Sequence, residues 1–140
     1  MLRDLTPEVT DHILRNQFFG RLGYAENGQV QVLPVTYLYD GQAIYGQTRE
    51  GGKTRSLRQN PSVCFEVDEQ ATPTCWRSVV VQGVYEELQG DERQHALQRL
   101  GPARLAPHKE PDANGVADFP STIVYRIRIL SKTGRSETKD

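Results

Sequence analysis

The stretch Leu22-Gly23-Tyr24-Ala25-Glu26-Asn27-Gly28-Gln29-Val30-Gln31-Val32-Leu33-Pro34-Val35-Thr36-Tyr37-Leu38-Tyr39-Asp40-Gly41-Gln42-Ala43 decides the fold class. Leu22 and Tyr24 alternate with small or polar neighbours as far as Asn27-Gly28. An Asn-Gly pair between such runs signals a two-residue type I′ hairpin, because both central residues must take positive φ. The next run, Val30 to Tyr39, is apolar on both faces, with Val30 and Val32 on one side and Leu33, Val35, Tyr37 and Tyr39 on the other. That pattern predicts a strand covered on both sides, as in a barrel wall that also meets a partner. Asp40-Gly41 marks a second turn, and Ala43 to Thr48 reads as a third strand. Strands joined by turns this short pair antiparallel.

Working outward, Thr6-Pro7 is a helix N-cap followed by proline at the first helical position. Val9, Ile13 and Leu14 share one face of a helix expected over Pro7 to Asn16. Downstream, Gly51-Gly52 breaks the third strand, and Lys53 to Asn60 has helical composition that stops at Pro61. Val63, Phe65 and Val67 alternate in a fourth strand, and Arg77 to Leu88 forms a long fifth. Asp91, with Gln94 three residues on, resembles a capping pattern ahead of a helix through Ala96, Leu97 and Leu100 that ends at Gly101-Pro102. Ala103 to Pro120 is read as a surface loop. Ile123, Tyr125, Ile127 and Ile129 alternate in a closing strand, and the polar tail Ser131 to Asp140 is expected to fray. The expectation is one domain over residues 1–140, mainly β with short helices, built as a six-stranded antiparallel barrel that is closed or partly closed.

Composition removes several function classes. The chain has 140 residues and a formal net charge of −1, without the basic surplus of a dedicated nucleic-acid binder. The longest purely aliphatic run, Val79-Val80-Val81, is far too short to span a bilayer, and Met1 to Leu5 lacks a signal-type apolar core, so a cytoplasmic protein with reduced thiols is expected. Cys64 and Cys75 form no Cys-x-x-Cys pair, and His12, His95 and His108 have no metal-ligand spacing. No Gly-x-Ser-x-Gly motif appears.

Three segments carry chemistry. In Gly46-Gln47-Thr48-Arg49-Glu50-Gly51-Gly52-Lys53-Thr54-Arg55 a strand ends, glycines turn the chain and a helix begins on lysine. A helix start offers unpaired N–H groups and partial positive charge, so basic residues there oppose the dipole unless an anion compensates. Lys53, with Arg49 or Arg55 and the hydroxyls of Thr48 and Thr54, suits one phosphate monoester. The competing reading is a solvated basic helix face. In Val32-Leu33-Pro34-Val35-Thr36-Tyr37 the proline cannot donate to a ladder and marks an edge or a bulge, where free backbone groups and the Thr36 hydroxyl can meet a polar ring; the competing reading, which the pattern alone favours, is a simple barrel corner. In Cys75-Trp76-Arg77-Ser78-Val79-Val80-Val81-Gln82-Gly83, Trp76 offers a stacking face or fills a dimer seam. Gln82 has an amide able to donate to a ring carbonyl, and Gly83 permits close approach.

The order Phe19-Gly20-Arg21-Leu22-Gly23, Leu33-Pro34-Val35-Thr36-Tyr37, Ile44-Tyr45-Gly46-Gln47-Thr48, Gly51-Gly52-Lys53, Asn60 to Asp68 and Arg77 to Gly83 resembles the pyridoxamine 5′-phosphate oxidase-like, FMN-binding split-barrel family, nearest its nitroimidazole-resistance branch. The resemblance implies a homodimer with FMN at the subunit interface. Lys53, Thr48 and Arg49 match its phosphate segment. Pro34, Val35 and Thr36 match the strand beside the isoalloxazine, and Trp76, Arg77 and Ser78 lie where the partner approaches. Relatives often carry histidine where this chain has Gln47. The C-terminal tryptophan- and arginine-containing signature of true pyridoxamine phosphate oxidases is missing from Ser131 to Asp140, which argues against vitamin B6 oxidation. The function implied is an FMN-dependent oxidoreductase passing electrons from a reduced nicotinamide to a small acceptor such as a nitroaromatic or quinone. The alternative is a non-catalytic protein holding flavin, deazaflavin or haem. No nucleic-acid or membrane partner is expected.

Overall fold

Asn27 and Gly28 both take positive φ, 51° and 77°, and turn the chain in two residues. The computed structural model describes residues 1–105 and 122–138. Its elements run β1 (Leu2–Asp4), α1 (Pro7–Asn16), β2 (Phe19–Glu26), β3 (Gln29–Thr36), β4 (Leu38–Tyr39), β5 (Ala43–Arg49), α2 (Gly52–Gln59), β6 (Ser62–Thr72), β7 (Cys75–Glu87), α3 (Gly90–Leu105) and β8 (Thr122–Glu137). All pairings are antiparallel, in the order β3-β2-β6-β7-β8-β5-β4, with β1 added against the end of β8. No ladder joins β3 to β4 among the described residues, so the curled sheet stays open there.

Among the described residues the sheet has eight strands, where the sequence predicts six. One extra strand comes from breaking the run Val30 to Tyr39. At Tyr37 the chain leaves β3 and its ladder with β2. Its N–H still donates to the Phe18 carbonyl at 3.0 Å, while its fully buried ring sends the hydroxyl to the Leu14 carbonyl at 2.8 Å. β4 then pairs with β5. Asp40 Oδ1 closes that turn by accepting from Gln42 N and Ala43 N, both at 2.8 Å. The second extra strand is β1, whose Leu2, Arg3 and Asp4 pair with Glu137, Ser136 and Arg135. The tail predicted to fray is therefore strand as far as Glu137, flanked by β7 and β1. Its polar composition misleads because ladder hydrogen bonds, not burial, hold it. The predicted two-sided burial of β3 also fails in the single chain, since Val30 and Val32 are 79% and 67% exposed.

Two helix boundaries shift. α3 begins at Gly90, so Asp91 sits in the first turn and is not the cap. It also runs through Gly101-Pro102 to Leu105, because a proline removes one rung of the ladder without ending every helix. The rest of the predicted loop, with His108, lies outside the described residues. α1 follows its sequence signals: Thr6 Oγ1 accepts from Val9 N at 3.3 Å, and Ile13 and Leu14 are fully buried.

One face of the sheet encloses the main core, in which Leu22, Val63, Phe65, Val67, Val79, Val81 and Ile127 pack with Ile13 and Leu14 of α1 and Leu57 of α2. Phe65 meets Tyr37 edge-on, with ring centroids 5.0 Å apart. A smaller cluster, Leu88, Ala96, Leu100 and Val124, seats α3 on the opposite face. The β7–β8 register slips between Gln82 and Gly83, which leaves Leu130 as the extra residue of a bulge. Gly83 is required there, since a Cβ would lie 2.6 Å from the Arg128 carbonyl oxygen. The close approach expected at Gly83 is thus one of backbone to backbone.

Candidate phosphate cleft

Proline at position 34 has a clear structural reason: β3 is an edge strand, and Pro34 pairs with Arg21 without register slip. The edge reading of the sequence holds, and the bulge reading does not. Beyond that edge the sheet opens into a cleft of about 350 Å³ lined by Phe19, Pro34, Val35, Thr36, Gln47, Lys53 and Leu100. Each side is set by a different element. β2 and β3 supply Phe19, Pro34, Val35 and Thr36, β5 supplies Gln47, the first turn of α2 supplies Lys53, and α3 supplies Leu100.

The α2 terminus is built by residues 50–54. Gly51 N donates to Thr54 Oγ1 at 3.0 Å, and the fully buried Thr54 hydroxyl lies 2.6 Å from Glu50 Oε2 and 2.9 Å from the Gly51 carbonyl. No acidic residue occupies the first turn. Lys53 is half-buried, and burial alone pushes its ammonium below the usual lysine range. Among the described residues it has no carboxylate partner. A cation desolvated this way, beside helix N–H groups, stands in an environment that favours an anion.

The structure brings Pro34, Val35, Thr36, Gln47 and Lys53 together and separates the remaining sequence candidates from them. Thr48 is half-buried, and among the described residues its hydroxyl makes only a long 3.5 Å contact with the Arg49 carbonyl, while Arg49 is exposed at the end of β5. Trp76 and Ser78 line a second groove, of about 650 Å³, with Leu5, Val80, Thr133 and Arg135. Arg77 points to the other face by strand alternation and pairs with Glu69 at 2.5 Å. Gln82 is exposed, its amide 3.7 Å from Cys64 Sγ. Sequence reasoning did not single out Phe19 or Leu100 for the cleft. Phe19 is the first residue of a strand and Leu100 reads as ordinary helix core. Only the tertiary placement of α3 brings them to one opening.

On the sheet face that carries Pro34 and Thr36, Glu66 and Asp68 stand side by side, as strand alternation predicts, with Glu69 opposite. β6 is an interior strand, flanked by β2 and β7. Burial first, and then the hydrogen bond and charge of Asp68, push the Glu66 carboxyl up to about 7, against the opposing pull of Ser78 and Arg21. An acid whose folded pKa is raised costs stability once ionised, so stability falls as pH rises from the ordinary value of 4.5 to about 7 and stays lower above it. Glu66→Gln is expected to raise the thermal midpoint at pH 8 by an amount matching roughly 1–2 kcal/mol and to change it little at pH 5. Equal shifts at both pH values would contradict the assignment.

Comparison with known proteins places this geometry. Residues 6–136 match the pyridoxamine 5′-phosphate oxidase family. The chain belongs to that family. An uncharacterised protein of Rhizobium meliloti is 35% identical over 94 residues, which span 67% of this chain and 62% of that protein's length. A crystal structure of an FAD-binding protein from Mesorhizobium loti superposes with a TM-score of 0.82 at 30% identity, covering 99% of each chain. A candidate 5-nitroimidazole antibiotic resistance protein from Bacteroides thetaiotaomicron superposes with a TM-score of 0.76 at 18% identity, covering 97% of this chain and 87% of its own, and so shares the fold. Among the described residues, this member of the family is mainly β, with three helices and an antiparallel sheet. No helix among the described residues is long and apolar enough to cross a membrane.

Proposed function

We propose that the chain binds FMN as a homodimer and acts as a flavin-dependent oxidoreductase, passing electrons from a reduced nicotinamide to a small acceptor such as a nitroaromatic or quinone. The observation that carries the reading is Lys53: a half-buried ammonium with no carboxylate partner among the described residues, at the start of a helix and at the wall of a cleft. The flavin phosphate would sit against Lys53 and the first amides of α2, with Thr36 and Gln47 facing the polar part of the ring. The flavin supplies the redox chemistry, and the chain's own residues bind, orient and shield it. Family membership and the 30% identical FAD-binding protein of Mesorhizobium loti support a flavin-type ligand. FMN is preferred here because, among the described residues, the cleft presents a single half-buried cation, which suits one phosphate monoester.

Exposed apolar surface supports the dimer. Val30 and Val32 lie open on the edge strand, and Phe19 is 39% exposed beside the cleft. A second copy over this sheet face would cover them and wall the cleft. Trp76 and Ser78, remote from the cleft within one chain, would then serve from the partner side.

The test is direct. The purified protein's visible spectrum is recorded, and its released ligand is identified by mass. A flavin spectrum with FMN mass is expected, followed by bleaching when NADPH or NADH is added without oxygen. A Soret band, a deazaflavin mass or a flavin that stays oxidised with both donors would overturn the corresponding part of the proposal.

A further inference from the structure

Three carboxylates described around α2 are each held by a neighbour. Glu26 accepts from Ser56 Oγ at 3.1 Å. Glu87 accepts from Arg58 Nε and from the Tyr85 hydroxyl, both at 2.8 Å. Glu50 accepts from both terminal nitrogens of Arg58, at 2.5 and 2.8 Å. Glu50 is the one that matters for the cleft. Its Oε2 already lies 2.6 Å from the hydroxyl of Thr54, the residue next to Lys53. A carboxylate at a helix start is favoured by the dipole and by any nearby cation. Yet Lys53 is perturbed by burial alone, with no carboxylate pulling in the opposite direction. Glu50 is paired with Arg58 instead. Its guanidinium grips both oxygens of Glu50 in a fork and anchors through Nε to Glu87 at the end of β7. The same grip draws the Glu50 carboxyl down to about 2, with Arg58 as the first cause and Thr54 the second.

We propose that Arg58 is a positioning residue for the anion site: it holds the chain's own Glu50 away from Lys53, so that the first turn of α2 stays open to an external phosphate. The proposal rests on the phosphate cleft described above. Without Arg58, Glu50 becomes an internal competitor, able to neutralise Lys53 and occupy the helix start. The competition acts on the phosphate alone, so a ligand with the same ring and no phosphate should not feel it.

FMN and riboflavin are the probes, titrated into the purified full-length protein with flavin fluorescence as the readout. Arg58→Gln is expected to weaken FMN about tenfold and riboflavin less than about twofold, the scale of one charge-assisted contact. The double variant Glu50→Gln with Arg58→Gln removes the competing charge, while the amide oxygen introduced by Glu50→Gln can still accept from Thr54. It is expected to recover FMN affinity to within about threefold of the parent. A merely structural role for Arg58 predicts the reverse: both ligands weaken together, and the second substitution restores nothing. Glu50→Gln alone covers the case in which Arg58→Gln does not fold. It is expected to bind FMN as tightly as the parent or more tightly, and a loss would overturn the proposal. Lys53→Ala serves as the control for the underlying site. If the parent prefers FMN and Lys53→Ala removes that preference while the Arg58 series does not respond, the positioning role is wrong and the site stands. If the parent shows no preference for FMN over riboflavin, the site itself falls and the positioning role with it.

Discussion

Replacing Lys53 with alanine is expected to weaken FMN binding by about 10- to 100-fold and riboflavin binding by less than about threefold. The two ligands share the ring and differ in the phosphate, so their ratio isolates the anion contact from general damage to the cleft. The size of the effect follows from the setting. Lys53 is half-buried, with its charge already disfavoured by lost hydration, and a phosphate beside it would restore what burial removes. An exposed lysine such as those of a solvated helix face would give an effect near zero. Fluorescence titration of both flavins against both proteins checks the result. Equal weakening of FMN and riboflavin would place the phosphate elsewhere.

The second large effect concerns the scaffold beneath the cleft. Phe65→Ala is expected to destabilise the fold by about 3–5 kcal/mol, read by urea denaturation. Phe65 is fully buried on β6, stacks edge-on against Tyr37 and fills the space left by Gly20 on β2, where even a Cβ would lie 2.5 Å from its ring carbon. Truncation leaves a cavity between Gly20 and Tyr37. The ring also backs Tyr37, the residue at which the chain leaves β3 for β4. The Tyr37 hydroxyl anchors to Leu14 of α1, so the damage should spread to the helix packing. Phe65→Leu, which keeps most of the volume, should cost far less. Similar losses for the two variants would mean that the pocket around Phe65 is not closely packed.

Local chemistry made much of this fold readable. Asn27-Gly28 announces its hairpin because few other pairs accept two positive φ values, and both angles are positive in the structure. Thr6-Pro7 announces α1, and the alternation of Val63, Phe65 and Val67 announces a strand whose inner face is fully enclosed. The break at Tyr37 was not legible, since apolar residues continue on both faces from Val30 to Tyr39 and only the pull of the Leu14 carbonyl and the Phe18 ladder divides the run. The polar end of β8 was not legible either. Its partners, β7 and β1, lie far away in sequence, and pairing leaves no hydrophobic signature there.

The candidate site divides along the same line. Lys53 stands out locally, as a basic residue placed against a helix dipole after two glycines. Pro34 stands out as a proline inside a strand pattern, and the edge it marks opens onto the same cleft. Thr48 and Arg49 share that stretch of sequence, but strand pleating and the end of β5 leave them outside the lining. Trp76 and Ser78 face a different groove of the same chain, and in the proposed dimer they would reach the flavin from the second copy. That step depends on assembly and has no local signal in the sequence.

Everything functional here depends on where the phosphorus atom of a bound flavin mononucleotide lies. A crystal structure of the protein grown with FMN measures that position. The account predicts the phosphate within hydrogen-bonding reach of Lys53 Nζ and the backbone N–H groups that open α2, with Arg58 still clasping Glu50. A phosphate remote from Lys53, or density showing Glu50 paired with Lys53 while FMN is bound, would contradict it.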